Sequence, residues 1–255
     1  MKILEPIWYT KPETASRVRG RIESILDWAV ARGYRKKGEN PARWKGHLDK
    51  LLPARTKVRR PVHFAAMPYA DVPAFMGELE GREGISVLAL RFTILCAVRT
   101  SDTIGATWSE IDEKAGLWII PAEHRVPLGK AALQILAQVP RIEGVDFIFP
   151  GARAGRPLSS MAMLELLRGM KSELTVHGFR SSFRDWAAER TPHPNEVVEM
   201  TLAHAIKDKT EAAYRRGDLL EKRRRLMNDW ANYLVPAARR AGYVRLVASE
   251  ERTTA

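Results

Sequence analysis

Tyr214, followed by Arg215 and Arg216, stands downstream of a series of cationic side chains whose order suits chemistry on a phosphodiester. His177-Gly178-Phe179-Arg180 comes upstream of it, then His204 behind a Leu-Ala pair, with Tyr214 about ten residues further on. A further arginine, Arg99, closes the apolar run Phe92 to Val98 and precedes Thr100-Ser101-Asp102. A tyrosine hydroxyl can attack a phosphodiester when cations neutralise the pentacoordinate phosphorane and an acid protonates the departing 5′-oxygen. Arginine suits the clamp, because its planar fork holds two phosphate oxygens and keeps its charge. His177 and Arg180, one helical turn apart, would share a helix face.

Each of these side chains has a plainer reading in isolation. Arg99 could cap a buried helix, although a charge directly after an apolar helix must be paired or occupy a site. His204 could be a satisfied core histidine, Tyr214 a surface aromatic, and His177 with Arg180 two surface residues. Their joint occurrence favours phosphate clamps at Arg99 and Arg180, acid–base work at His177, a phosphate hydrogen bond from His204 and a nucleophile at Tyr214. Asp102 would orient Arg99 or support the site.

The elements that must position these groups are mostly helical. Tyr69 to Leu79 and Gly84 to Val98 read as helices, the second apolar nearly all round and therefore buried. Three short strands are expected at Ala106 to Ile111, Gly116 to Pro121 and Glu123 to Leu128, then a helix from Lys130 to Val139. Phe147 to Pro150 reads as an extended piece and the glycine-rich stretch Gly151 to Pro157 as a turn. Further helices fit Ser160 to Met170, Val176 to Glu189, Asn195 to His204, Thr210 to Arg216 and Leu219 to Ala241. The last, with Lys222, Arg223, Arg224 and Arg225, either packs against a neighbouring copy or is a solvated helix of its own protomer. Upstream, Glu13 to Gly33 places Val18, Ile22, Ile25, Leu26 and Ala29 at helical spacing, with Gly33 as the stop.

A formal net charge of +12 implies an anionic partner, since basic surface gains affinity by displacing counterions from nucleic acid. Ribosomal and membrane-surface proteins share that property. The chain of 255 residues, 45% hydrophobic, has room for one large domain and a smaller one. No apolar stretch approaches the roughly 18 residues of a membrane span, and the start lacks a signal peptide's apolar segment. With Cys96 as the single cysteine, an intrachain disulfide and a cysteine-rich metal site are both excluded, and a buried thiol is expected. A cytoplasmic, nucleoid-associated location follows as the expectation.

Taken together, Arg99, His177 with Arg180, His204 and Tyr214 resemble the active site of the tyrosine recombinase (phage integrase) family. The stretches Phe183-Arg184-Asp185-Trp186-Ala187-Ala188-Glu189-Arg190 and Glu211-Ala212-Ala213-Tyr214-Arg215-Arg216-Gly217-Asp218 are similar to integrases of prophages and genomic islands. The resemblance runs from about residue 14 to about residue 236. It implies a mainly α fold with a small antiparallel sheet: a catalytic domain over 59–245, a partial helical core-binding segment and basic linker over 1–58, and a disordered tail from 246 to 255. It implies site-specific recombination: Tyr214 forms a 3′-phosphotyrosyl link and frees a 5′-hydroxyl, and no cofactor, metal or ATP is needed. The implied partners are double-stranded attachment sites and, on DNA, a homo-tetramer passing through a Holliday junction. The resemblance also admits accessory DNA-bending proteins. In the basic stretch Pro53 to Pro61, read as the linker, Arg55, Lys57, Arg59 and Arg60 are candidate phosphate contacts, with a solvated loop as the alternative.

The sequence departs from the family pattern in one place. Active relatives carry a lysine between the second and third strands, where it can protonate the leaving oxygen. Here Trp118-Ile119-Ile120-Pro121-Ala122 runs into Glu123-His124-Arg125-Val126-Pro127-Leu128 without one. Lys114 and Lys130 flank the hairpin and match neither position. Ala122-Glu123 is also poor chemistry for a two-residue turn, which favours residues tolerant of positive φ. Two rival functions therefore stand beside the recombinase: a catalytically impaired DNA-binding remnant and a type IB topoisomerase.

Overall fold

The computed structural model of the chain describes residues 2–58, 65–121, 125–204 and 217–235. Tyr214, Arg59, Arg60, residues 122–124, the helix expected over Thr210 to Arg216 and the tail from 246 lie outside the described residues. The chain forms two compact units, residues 1–63 and 64–255.

In the first unit, helices α1 (Glu5–Trp8), α2 (Pro12–Ala31) and α3 (Arg55–Val58) surround a small core of Leu4, Trp8, Ala15, Leu48 and Leu52. Pro12 opens α2, where a missing N–H loses nothing. Gly33 follows the helix at φ +75°, a conformation that suits glycine, in line with the expected stop. Trp8 stacks on Trp44 with centroids 5.4 Å apart and donates its indole N–H to the Pro53 carbonyl at 2.9 Å. That bond ties part of the stretch read as a linker to the core, and Arg55–Val58 is helical. The apolar stripe expected on α2 is only partly covered, since Ile25 is 63% exposed.

The second unit is built around α5 (Ile85–Cys96), buried along most of its length as its all-round apolarity requires. It contacts α4 (Val72–Glu80), α6 (Thr100–Gly105), α7 (Lys130–Gln138), α8 (Ala162–Met170) and α11 (Leu220–Leu234). Helix α9 (Gly178–Arg190) packs on α11 through Phe183, Trp186, Trp230 and Tyr233, and α10 (Asn195–Thr201) contacts both. Trp230 donates to the Ile94 carbonyl at 3.0 Å. Thus α11 packs within its own protomer, burying Leu226, Met227, Trp230 and Arg223 while Lys222 and Arg225 stay exposed. Cys96 is buried, and burial pushes its thiol well above the ordinary range, so it stays protonated.

A three-stranded antiparallel sheet, β1 (Ile111–Asp112), β2 (Leu117–Ile119) and β3 (Arg125–Pro127), packs on α5 through Trp118 against Phe92. The first expected strand is largely not one. Thr107 and Glu110 form a capping box that winds Trp108–Glu110 into a 3-10 turn, leaving only two residues of strand. The Glu110 carboxylate also accepts the Trp118 indole N–H at 2.9 Å. Pairing of Ile119 with Arg125 sets the β2–β3 connection at 120–124, longer than the two-residue turn expected from the sequence. Beyond it, Phe147 and Pro150 bridge to Thr107 and Pro157, enclosing the turn read over Gly151 to Pro157.

Candidate active site

Two left-handed alanines place the site residues. Ala97 (φ 52°) ends α5 and turns the chain so that Arg99 becomes the N-cap of α6 in extended conformation. Ala203 (φ 50°) follows α10 and carries His204 back toward it. A residue with a Cβ enters this region at a cost of about 1–2 kcal/mol, so both turns are maintained by what surrounds them. Arg99 and Arg180 are the principal anchors.

Arg180, 6% exposed, donates to the Ala97 carbonyl at 2.7 Å and to the Leu202 carbonyl at 2.5 Å. It thereby satisfies carbonyls left unpaired at the ends of α5 and α10. Arg99 donates to the neighbouring Ala203 carbonyl at 3.0 Å. Asp102, at the third position of α6, accepts the Arg99 backbone N–H at 3.1 Å and lies 4.0 Å from its guanidinium. The aspartate therefore fixes the backbone that carries Arg99, more than the guanidinium itself. Among the described residues the Arg180 Nε–H has no acceptor. Burial, then the charge of Arg99, pushes Arg180 down to about 10, which leaves it charged at neutral pH.

His177 is the N-cap of α9 rather than a residue within it, and Arg180 lies in the first turn. Burial, followed by the nearby Arg180, His204 and Arg99, holds His177 below the ordinary histidine range. The ring is then neutral at pH 7 and suited to accept a proton. The start of α9 rests on residues 65–67: Thr175 donates its N–H and hydroxyl to the Ala65 carbonyl at 3.3 Å each, and Ser182 donates to the Met67 carbonyl at 2.5 Å. Gly178 allows this approach, because a Cβ there would lie 2.3 Å from the Ala65 oxygen and 2.8 Å from the Ala66 Cα.

His204 is held from both ring nitrogens, Nδ1 2.7 Å from the Glu199 carboxylate and Nε2 3.3 Å from an Arg180 nitrogen. The second Glu199 oxygen accepts from Arg184 Nε at 2.7 Å. Glu199 and Arg184 were not singled out by sequence reasoning. A glutamate five residues before a histidine has no helical significance unless the intervening turn is known to be left-handed.

The structure thus brings together Arg99, His177, Arg180 and His204 from three helix ends. Of the candidate DNA contacts, Arg55 is paired with Glu13, and Lys57 is exposed on α3. Near the β2–β3 hairpin, Arg125 pairs with Asp218 at 2.9 Å, and the buried Arg223 donates to the Arg125 carbonyl. Among the described residues no cluster of His, Cys, Asp or Glu is arranged to hold a metal ion, and no helix is long and apolar enough to cross a membrane.

Residues 67–219 match the phage integrase family, and residues 1–47 match the phage integrase central domain. The chain is 33% identical over 234 residues to prophage integrase IntZ of Escherichia coli (strain K12), covering 88% of this chain and 56% of that protein. It is 30% identical over 253 residues to the integrase of Enterobacteria phage P4, covering 88% of this chain and 55% of that one. The chain spans a little over half the length of these relatives. Its fold is similar to that of a lambda integrase tetramer bound to a Holliday junction, with a TM-score of 0.54 at 17% identity, covering 80% of this chain and 62% of that one.

Proposed function

The chain belongs to the phage integrase family, and from that premise we propose that it cuts and rejoins double-stranded DNA at specific sites, integrating or excising a mobile element. The observation that carries this reading is the suspension of Arg99 and Arg180 from adjacent carbonyls of one turn, with His177 and His204 beside them. Four such groups form a locus for a phosphate. In the proposed reaction the Tyr214 oxygen bonds to phosphorus while the bond to the 5′-oxygen breaks. His177, neutral at pH 7, takes the tyrosine proton, and the departing oxygen takes one from solvent water to leave as a 5′-hydroxyl. Arg99, Arg180 and His204 contact the phosphate oxygens where charge develops. Attack by a partner strand's 5′-hydroxyl reverses the step. The covalent link conserves the phosphodiester, so the exchange needs no ATP.

The same reading makes attachment-site DNA the partner, a homo-tetramer the working assembly and the bacterial nucleoid the location, with accessory DNA-bending proteins as further partners. It also makes residues 1–58 a core-binding segment with its linker, 59–245 the catalytic domain and 246–255 a tail, and Arg55, Lys57, Arg59 and Arg60 phosphate contacts. One observation favours a second reading, a DNA-binding relative with impaired cleavage: no lysine occurs from Leu117 to Gly129. A pool of nicked suicide duplexes of randomised sequence separates the two. Protein that stays attached to DNA under denaturing conditions supports the recombinase, whereas binding without attachment supports the impaired relative.

A further inference from the structure

We propose that Glu199 is a positioning residue for the reaction: its carboxylate fixes the tautomer and aim of the His204 ring through Nδ1. The inference rests on the recombinase reading for its purpose, but its geometry stands apart from it. His204 lies just beyond the left-handed Ala203, with a side chain 43% exposed. A ring so placed has rotamer freedom unless something holds it. Glu199 holds the residue twice, its carbonyl accepting the His204 backbone N–H at 3.0 Å and its carboxylate facing the ring Nδ1 at 2.7 Å.

The carboxylate is itself fixed, because Arg184 on α9 donates to its other oxygen at 2.7 Å. Helix α9 also carries Arg180, so the aim of His204 is referenced to the element that bears one phosphate clamp. Burial pushes the Glu199 carboxyl up, but hydrogen bonds from His204 and Arg184 outweigh it and leave the group below the ordinary range. An ionised carboxylate only accepts hydrogen bonds, so Nδ1 must carry the hydrogen. Nε2 is left facing Arg180, as an acceptor when the ring is neutral. A phosphate oxygen in place of that guanidinium contact takes a hydrogen bond only from a ring that carries hydrogens on both nitrogens, and hence a positive charge. Glu199 offsets its charge, as an orienting carboxylate does for a catalytic histidine elsewhere.

The test uses the full chain on a nicked suicide duplex, comparing wild type, Glu199→Ala, Glu199→Gln, His204→Ala and the Glu199→Ala/His204→Ala double variant. Single-turnover adduct formation should slow roughly 5-fold to 100-fold in Glu199→Ala, the range expected for hydrogen-bonded partners. Non-covalent affinity should change little, and Glu199→Gln, which keeps an acceptor toward Nδ1, should recover much of the rate. In the His204→Ala background the Glu199 substitution should add almost nothing. Full additivity, or a Glu199→Ala rate equal to wild type, overturns the proposal. Wild type that never forms an adduct sinks the recombinase reading instead. The positioning claim is then decided by ¹⁵N resonances of the His204 ring, expected to show Nδ1–H in wild type and Glu199→Gln and mainly Nε2–H in Glu199→Ala. An unchanged Nδ1–H tautomer in Glu199→Ala refutes it.

Discussion

Gly178→Ala adds one methyl group at the start of α9 and probes the contact that locates His177 and Arg180. The new Cβ would meet the Ala65 oxygen at 2.3 Å, the Ala66 Cα at 2.8 Å and the Ala65 carbonyl carbon at 3.1 Å. Ordinary contact begins near 3.4 Å, so one backbone segment must retreat by about 1 Å. If residues 65–67 yield, bonds from Thr175 and Ser182 stretch or break, each worth about 1 kcal/mol. If α9 yields, His177 and Arg180 move with it. Overpacking costs about 1–3 kcal/mol, and the better helix propensity of alanine returns about 0.5–1 kcal/mol. The net loss, up to about 2.5 kcal/mol, lowers Tm by up to roughly 10 °C. A 1 Å misplacement of reacting groups slows chemistry on the order of 100-fold, so adduct formation should fall further than stability would suggest. Gly169→Ala in α8, where no atom lies within 4 Å, is the control and should be neutral or slightly stabilising. A Gly178→Ala protein with wild-type Tm and wild-type adduct rate would refute the claim that this approach positions the site.

Tyr214→Phe should abolish covalent protein–DNA adducts, scored on denaturing gels, while leaving gel-shift affinity nearly unchanged, because only one hydroxyl is lost. Arg180→Lys should slow cleavage by at least about 100-fold and also destabilise the fold, since an ammonium reproduces neither the fork nor its span between two carbonyls. Arg99→Lys, at a more exposed site, should slow cleavage with a smaller change in Tm. Thermal stability should fall as pH drops. His177 is depressed in the folded state, so the unfolded chain binds the extra proton and stability declines from the ordinary histidine value of 6.5 downward, levelling once folded His177 protonates. Glu199 is likewise depressed, and its contribution is lost below the ordinary value of 4.5. His177→Gln should flatten the upper limb of a Tm–pH curve alone.

The buried helix α5 could be read from apolarity on every side, and the order of the site residues from their chemical types. What could not be read depends on backbone conformation. Nothing in Val98-Arg99 or Ala203-His204 announces that Ala97 and Ala203 are left-handed, because alanine has no preference for that region. Sequence spacing put His177 and Arg180 on one helix face, whereas the structure makes His177 a cap whose direction depends on residues 65–67, distant in sequence. The expectation of a strand from Ala106 failed to a local competitor, as Thr107 and Glu110 can cap a turn and the capping box outcompetes strand pairing.

The same property explains how the site stays cationic. A buried guanidinium must be hydrogen-bonded, and the usual partner is a carboxylate, which would neutralise it and leave little attraction for a phosphate. Arg180 is instead held by carbonyls at the ends of α5 and α10, where each helix contributes only a partial negative charge. Its donors are directed while its full positive charge is retained. The carboxylates nearby are engaged elsewhere, Asp102 with the Arg99 backbone and Glu199 with Arg184 and His204. Carbonyl groups belong to every residue, so Ala97, Leu202 and Ala203 carry no side-chain signature of this task. Substituting their side chains should matter only as far as it moves the turn, which makes the backbone of these two turns, rather than their sequence, the structural basis of the cationic site.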